Sequence, residues 1–180
     1  AAPGVYASAL AMVGFTSATS STKTVISALI NIVDLRAWVD GAVLYDRSLS
    51  IFAHRSYSGT YLDLGIDYSG RLDAYLSVGA ALHATAASPL APSVVHHVVM
   101  VRDGTTVTIY VDGSSVGTDT DAGATSGITW EGGAAICDGP TGVTTIYGTE
   151  LNRTVYVDEV MLWHGSTITA TQIQALADAV

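Results

Sequence analysis

Positive charge and cysteine are both scarce in this sequence. Only 7 Lys and Arg residues stand against 16 Asp and Glu residues, so the formal net charge is −9. Lys23 is the single lysine, and no basic cluster is present to bind a phosphate backbone, so we exclude nucleic acid as a partner. Cys137 is the only cysteine, which excludes a disulfide within the chain.

Long apolar runs are also missing, although hydrophobic residues make up 49% of the chain and charged residues only 13%. Polar residues or glycines interrupt each run before it reaches the ~20 residues of a membrane helix, so we expect no membrane insertion. At 180 residues the chain fits one domain, residues 1–180, with its own core. The pattern identifies no internal partner for residues 1–11, and we interpret residues 1–17 as an assembly arm.

Two Asp-Gly pairs between His96 and Val116 predict a three-stranded antiparallel meander. Each pair is expected to form a two-residue type I′ turn, the turn whose twist suits the flanking strands. Counting back from the turns predicts Met100 opposite Val107 and Ile109 opposite Val116, all on one apolar face. Asp40-Gly41 is a third signal of the same kind.

A second hairpin is predicted between Tyr61 and Val78. A two-residue loop would mix its polar and apolar faces, so we expect the three-residue loop 68–70 with Gly70 in a left-handed conformation. Ile66 then lies opposite Leu72. The wetter face of this hairpin is predicted to carry four residues: Asp63, Asp67, Asp73 and Tyr75.

The remaining pattern consists of short strands with turn signals every ~8–12 residues, which favours a β-sandwich. Thr24–Val33 is β-branched on both sides and predicts a strand buried on both faces. We expect a Ser/Thr turn over 18–23 and a long functional loop over 117–133. Thr169 and Gln172 fit a capping box, so one helix should follow over 170–177.

Three segments resemble a known family. The run HHVVMVRDGTTVTIYVDG (96–113) is similar to the W-H-H-V-A-V-x-x-D-G-x-x-x-x-Y-V-D-G segment of laminin-G-like domains in the concanavalin A-like lectin/glucanase superfamily, with Val95 in place of the Trp. Residues 156–163 resemble the family's I-D-E-V-x-I-Y strand, and residues 168–176 its L-S-x-x-E-I-x-x-L segment. The resemblance implies an all-β, two-sheet antiparallel jelly-roll sandwich with one short C-terminal helix.

The carboxylates argue against catalysis. Glycoside hydrolysis needs two of them about 5 to 9.5 Å apart, and the E-x-D-x-x-E run of the family's glucanase branch is absent. Glu131, Glu150 and Glu159 are the only glutamates. On a regular strand the neighbours Asp158 and Glu159 would point to opposite faces. We therefore expect no enzymatic activity.

The candidate binding residues are aromatic and acidic. Sugar rings stack on Trp or Tyr, so we expect Trp130, Tyr57 and Tyr61 at a binding rim. Packing is the alternative for each of them. Trp163 is a further candidate, for which packing is the stronger interpretation. Asp119 and Asp121 are candidate ligand-binding residues as well. Their side chains, two residues apart before Gly123, could contribute oxygens to calcium. The alternative is a solvated acidic loop, and we predict no metal site outright.

The function expected from this resemblance is surface recognition. The chain would be a non-catalytic adhesion module that binds a glycan or cell-surface carbohydrate, on a self-associating extracellular or virion-surface protein. The alternative is a purely structural decoration or fibre protein without a ligand, whose partners are copies of itself or neighbouring structural subunits.

Overall fold

A computed structural model describes residues 17–35, 49–56, 59–67, 69–130, 133–136 and 153–179. These residues form strands and one helix. In chain order they are β1 Ser17–Ser21, β2 Lys23–Leu35, β3 Leu49–Arg55, β4 Tyr61–Ile66, β5 Leu72–Val78, β6 Ala80–Thr85, β7 Val95–Asp103, β8 Thr106–Val111, β9 Ser114–Thr120, β10 Ile128–Trp130, β11 Gly133–Ile136, β12 Arg153–His164 and α1 Ala170–Ala177.

Two five-stranded antiparallel sheets make up the body of the protein. The first sheet has the order β12-β2-β7-β8-β9, the second has the order β11-β3-β4-β5-β6, and β1 pairs with β10 apart from both. Alternation along the strands turns one apolar face of each sheet inward. Ile26 and Met100 of the first sheet and Leu64 and Leu76 of the second are fully buried in one shared core. The expected all-β sandwich with one short helix is confirmed.

The strand predicted to be buried on both faces is confirmed in β2. It lies between β12 and β7 in the first sheet, and every residue from Thr24 to Ala28 is buried. Ile26 and Ala28 face the shared core, while Val25 belongs to a separate apolar cluster on the other side of the sheet. This explains why the segment shows no polar face in the sequence.

The register of the β7–β8 hairpin differs from the prediction. Met100 pairs with Ile109, not with Val107, and the two turn residues are Gly104 and Thr105. Gly104 has φ 64 while Thr105 has no positive φ, as in a type II′ turn, which places glycine first. The shift moves each partner by two residues and therefore keeps the same side chains in the core.

The second Asp-Gly turn is confirmed, but the pairing beyond it is not as predicted. Asp112 and Gly113 have φ 48 and 81 and form the two-residue turn. A β-bulge then places Ile109 opposite Gly117 instead of Val116. A Cβ at Gly117 would lie 2.8 Å from the Thr85 carbonyl oxygen, so the bulge brings the one residue without a side chain to this crowded point.

The β4–β5 hairpin has the predicted register. Ile66 pairs with Leu72, and the Gly70 N–H donates to the Asp67 carbonyl oxygen at 3.0 Å. Gly70 has φ 81, the left-handed conformation expected of it. Leu62, Leu64 and Leu72 face the core, which leaves the odd-numbered residues of both strands on the outer face.

Two predicted irregular segments contain strands. Residues 18–21 of the expected Ser/Thr turn belong to β1, which pairs with β10. The expected loop 117–133 includes the end of β9, all of β10 and the start of β11, so its irregular part among the described residues is 121–127. The expected arm, the Asp40-Gly41 hairpin and Cys137 lie outside the described residues, apart from Ser17 at the end of the arm.

The predicted helix and its cap are confirmed. Thr169 accepts from the Gln172 N–H at 3.2 Å, and the Gln172 side chain accepts from the Thr169 N–H at 2.8 Å. Ile173 is fully buried in a cluster with Val25 and Val99, so α1 packs on the outer face of the first sheet. In the part of the chain that the structure describes, no helix is long and apolar enough to span a membrane.

Candidate functional site

Three aromatic side chains lie side by side on the outer face of the second sheet. Tyr75 of β5 pairs directly with His83 of β6, and Tyr61 of β4 is its diagonal neighbour. The ring centroids of Tyr61 and Tyr75 are 5.9 Å apart, and those of Tyr75 and His83 are 5.8 Å apart. We call Tyr61, Tyr75 and His83 the aromatic row.

The aromatic row is open to solvent. Tyr75 is 36% exposed and the His83 side chain is 47% exposed, while Tyr61 is half-buried. A large aromatic side chain on a sheet surface usually covers apolar neighbours. Here the Tyr75 ring packs at 50° to Tyr61 and at 74° to His83 while 36% of the residue stays exposed, so the row offers exposed aromatic surface to a ligand.

Two carboxylates hold the aromatic row in place. Asp63 Oδ2 accepts from the Tyr61 hydroxyl at 2.6 Å and from the Ser50 hydroxyl at 2.9 Å. Asp73 Oδ1 accepts from His83 Nε2–H at 2.8 Å and from the Thr85 hydroxyl at 2.6 Å. Both outer rings are thus oriented by hydrogen bonds within the protein, which lowers the entropy cost of ordering them on binding.

Asp119 joins the first sheet to this surface. Its Oδ2 accepts from the His83 backbone N–H at 2.7 Å, and its Oδ1 accepts from the Thr120 N–H at 2.8 Å. The first of these bonds satisfies an N–H on β6, an edge strand whose outward groups would otherwise lack a partner. The structure therefore places two of the residues predicted from sequence at the aromatic row, with Tyr61 at one end and Asp119 beside His83 at the other.

Asp121 lies apart from the aromatic row, in the loop 121–127. Its Oδ1 accepts from the Gly123 N–H at 2.7 Å, and its carbonyl oxygen accepts from the Ala124 N–H at 3.0 Å. No group of three or more His, Cys, Asp or Glu side chains suited to a metal ion occurs among the described residues. Calcium binding by Asp119 and Asp121 stays a prediction.

Trp130 is a packing residue in this structure. It lies in β10, is 5% exposed, and packs edge-on against Phe52 with centroids 6.0 Å apart. The rings of His54 and His164 lie 4.4 and 5.7 Å away. Packing, the alternative given for Trp130, therefore describes its place in the structure, and stacking on a sugar stays a prediction. Tyr57 lies outside the described residues.

The adjacent histidines His96 and His97 both take part in hydrogen bonds. His96 Nδ1 lies 2.7 Å from Asp112 Oδ2, and His97 Nε2 lies 2.8 Å from the Ser27 hydroxyl on the other face. Burial lowers the pKa of His97 below 6.5, against a smaller opposing effect of Asp112. His97 is therefore held neutral inside the protein.

Strand alternation does not hold at Asp158 and Glu159. Asp158 pairs with Leu29 and Met161 with Ser27, so a bulge lies between them, and Glu159 has φ 50. Both carboxylates are exposed, and the regular alternation from which opposite faces were predicted is interrupted here. They lie on β12 of the first sheet, and within the described ranges no contact links them to the aromatic row.

Tyr75 and His83 were missed as candidate binding residues. The sequence had already placed Tyr75 with Asp63 and Asp73 on the wetter face of one hairpin. Extending that alternation across the turn at Gly79 places His83 next to Tyr75. The missing signal was therefore the register of the β5–β6 pair, which the pattern did not fix.

The comparisons with known proteins agree on the fold. A family model described as the concanavalin A-like lectin/glucanases superfamily, Laminin_G_3, matches residues 32–174. The search of curated proteins gave no match.

Three solved structures illustrate the likeness. Domain 4 of an extracellular arabinanase from Geobacillus stearothermophilus, in complex with arabinotriose, has TM-score 0.61 and 14% identity, over 89% of this chain and 68% of that one. Domains LG4-5 of the mouse laminin alpha1 chain have TM-score 0.60 and 14% identity, over 84% and 38%. A heptameric SAP-like pentraxin from Limulus polyphemus has TM-score 0.55 and 16% identity, over 87% and 70%.

Proposed function

Because the chain belongs to the concanavalin A-like lectin/glucanase superfamily, we propose that it is a non-catalytic glycan-binding module. The sugar-contacting surface is the outer face of the second sheet, at the aromatic row. The observation that carries this proposal is the exposed ring of Tyr75, held between Tyr61 and His83 and flanked by carboxylates. An aromatic face with polar groups at its edge matches the alternation of apolar C–H faces and hydroxyl groups on a sugar.

The mechanism is shallow stacking with hydrogen bonds at the edges. The C–H face of a sugar ring would lie on Tyr75, and its hydroxyls would donate to free lone pairs of Asp73 or to neighbouring backbone carbonyls. The surface is a sheet face and encloses the ligand on one side only, so a single site binds weakly. Several copies on one surface would raise the overall affinity through effective concentration.

The comparisons support a binding role without deciding it. A related fold was solved with an oligosaccharide, arabinotriose, and another belongs to a laminin chain. At 14% identity these likenesses concern the fold alone. We propose an extracellular location for the module, because recognition of cell-surface or matrix carbohydrate takes place there.

The test is glycan binding by matched tyrosine variants of the full chain. A glycan array identifies a ligand, and calorimetry then compares wild type with Tyr75→Ala and with Tyr156→Ala. Tyr156 is also an exposed tyrosine, at 57%, but it lies on β12 of the first sheet. We expect Tyr75→Ala to weaken binding at least about tenfold, the loss of about 1.4 kcal/mol, and Tyr156→Ala to leave it unchanged.

Equal affinities for the two variants and the wild type would reject the site. A glycosidase activity abolished by Glu159→Gln would reject the non-catalytic assignment.

A second candidate function, assembly with copies of itself or with neighbouring structural subunits, is favoured by another surface. Val94 and Val95 lie side by side at the start of β7 in the first sheet. They are 47% and 51% exposed, and exposed apolar side chains grouped together are typical of contact surfaces. Light scattering on wild type and on Val95→Asp tests it: a stable oligomer that dissociates in the variant supports assembly, and a monomeric wild type rejects it.

A further inference from the structure

We propose that the aromatic row selects uncharged glycans over glycans that carry carboxylate, sulfate or phosphate groups. The inference rests on the proposed function and adds the class of ligand. Its basis is the distribution of hydrogen-bond acceptors and charge around Tyr75.

Acidic oxygens accompany the row along its whole length. Asp63 lies 2.6 Å from the Tyr61 hydroxyl, Asp73 lies 2.8 Å from His83 Nε2, and Asp119 lies 2.7 Å from the His83 backbone nitrogen. Any ligand that covers Tyr75 therefore approaches several of these carboxylates. An anionic group on such a ligand is repelled by these carboxylates, most strongly at low salt, where screening is weak.

The hydrogen-bonding chemistry points the same way. An ionised carboxylate only accepts hydrogen bonds, and so does a sulfate or a second carboxylate on a ligand, so the two cannot pair. A sugar hydroxyl donates, and it matches these acceptors. Asp73 Oδ1 already accepts from Thr85 and His83, and the other Asp73 oxygen provides the acceptor for such a hydroxyl.

The described cation next to this surface is already neutralised. Arg71, two residues before Asp73, donates from both Nε and Nη2 to Asp67 Oδ2, each at 2.7 Å. Asp67 in turn accepts the Ser69 and Arg71 N–H groups through Oδ1, at 2.8 and 2.9 Å. This guanidinium stabilises the hairpin loop, and it could bind an anionic ligand only by breaking both of its bonds to Asp67.

Arg55 pairs with Tyr61 in the backbone register. The main alternative to the inference is that Arg55 attracts anionic glycans. If Arg55 recruits acidic sugars, an anionic glycan would bind at the same face and would need Arg55. An Arg55→Gln variant therefore belongs in the test.

The experiment measures affinity for paired glycans on the full chain, a neutral oligosaccharide and the same oligosaccharide bearing a sialic acid or a sulfate. Calorimetry is run at low and at high salt, on wild type, Asp73→Asn, Arg55→Gln and the control Tyr156→Ala. Asn keeps the Oδ1 that accepts from Thr85, so Asp73→Asn removes charge with little change of shape.

We expect the wild type to bind the neutral glycan about tenfold or more tightly than its anionic partner. This difference in affinity should become smaller at high salt and several-fold smaller in Asp73→Asn, while Tyr156→Ala should bind both glycans like the wild type. Tighter binding of the anionic glycan through a Tyr75-dependent site, lost in Arg55→Gln, would overturn this inference but leave the proposed function intact. Failure to bind any glycan, or binding that does not depend on Tyr75, would overturn the proposed function and the inference together.

Discussion

The two sheets of this sandwich share one core, but their outer faces differ. On the first sheet Val25, Val99 and Val101 form an apolar surface that the helix covers with Ile173. On the second sheet the same alternation turns Tyr75 and other polar or aromatic residues outward, and this part of the face is open. The fold therefore offers two equivalent outer faces, and side-chain chemistry makes one a packing surface and the other a candidate binding surface.

Removing the contact between the helix and the first sheet should have the largest effect on the unfolding free energy. Ile173 is fully buried, and Ile173→Ala leaves a cavity between α1 and the first sheet. We expect a loss of about 2–4 kcal/mol in unfolding free energy, measured by urea denaturation, because the cluster depends on this side chain. The folded fraction should still bind glycan at the second sheet. A change below about 0.5 kcal/mol would show that the helix is not holding this face.

The second sheet is tested through its hairpin. Gly70 has φ 81, so Gly70→Val places a β-branched side chain in a strained backbone conformation. We expect a loss of about 1–2 kcal/mol in unfolding free energy, measured by thermal or chemical denaturation. The neighbouring Ser69→Val is the control, since Ser69 has no positive φ and is exposed. Equal stability of the two variants would mean that the loop does not have this conformation.

The capping box gives a smaller effect on the covered face. Thr169→Ala removes the hydroxyl that accepts from the Gln172 N–H, and we expect about 1 kcal/mol of destabilisation. Thr171→Ala, on the exposed side of the same helix, should change stability by less than about 0.5 kcal/mol. If both variants behave alike in denaturation, the cap does not anchor the helix.

The smallest expected effect concerns pH and the buried His97 of the first sheet. Its pKa is lowered from 6.5 by burial, so below about pH 6.5 the unfolded chain binds a proton that the folded chain resists. His97 therefore lowers stability as pH falls through that value, and contributes no such loss above it. The difference in unfolding free energy between wild type and His97→Asn should shift with pH between 7 and about 5. A difference constant over this range would show that His97 is not held neutral.

Much of the fold could be predicted where one face is buried and the turn is short. The β4–β5 loop was predicted correctly because Ile66 and Leu72 must both face the core, which only a three-residue loop allows. The β7–β8 register was wrong because a shift by two residues buries the same side chains, so the pattern could not separate the alternatives. The bulge before Gly117 brings this residue close to Thr85 of the other sheet, a contact that no local signal reveals.

The candidate site was less predictable because it also depends on contacts between distant parts of the chain. Tyr61 was found as an aromatic residue on a short strand, and Asp119 as an acid in a polar segment. Their association depends on β6 lying beside β9, a contact between distant parts of the chain. Packing and rim exposure of Trp130 could not be separated from the sequence, because its burial depends on the distant residues Phe52 and His54.

The most direct test of the account locates a bound glycan on the molecule. The full chain, labelled with ¹⁵N, is titrated with the array-selected glycan while backbone resonances are recorded. We predict that the shifted resonances cluster at Tyr61, Tyr75 and His83, and that those of Val25, Val99 and Ile173 stay in place. Shifts confined to the loop 121–127 or to the first sheet would contradict the claim that the outer face of the second sheet is the binding surface.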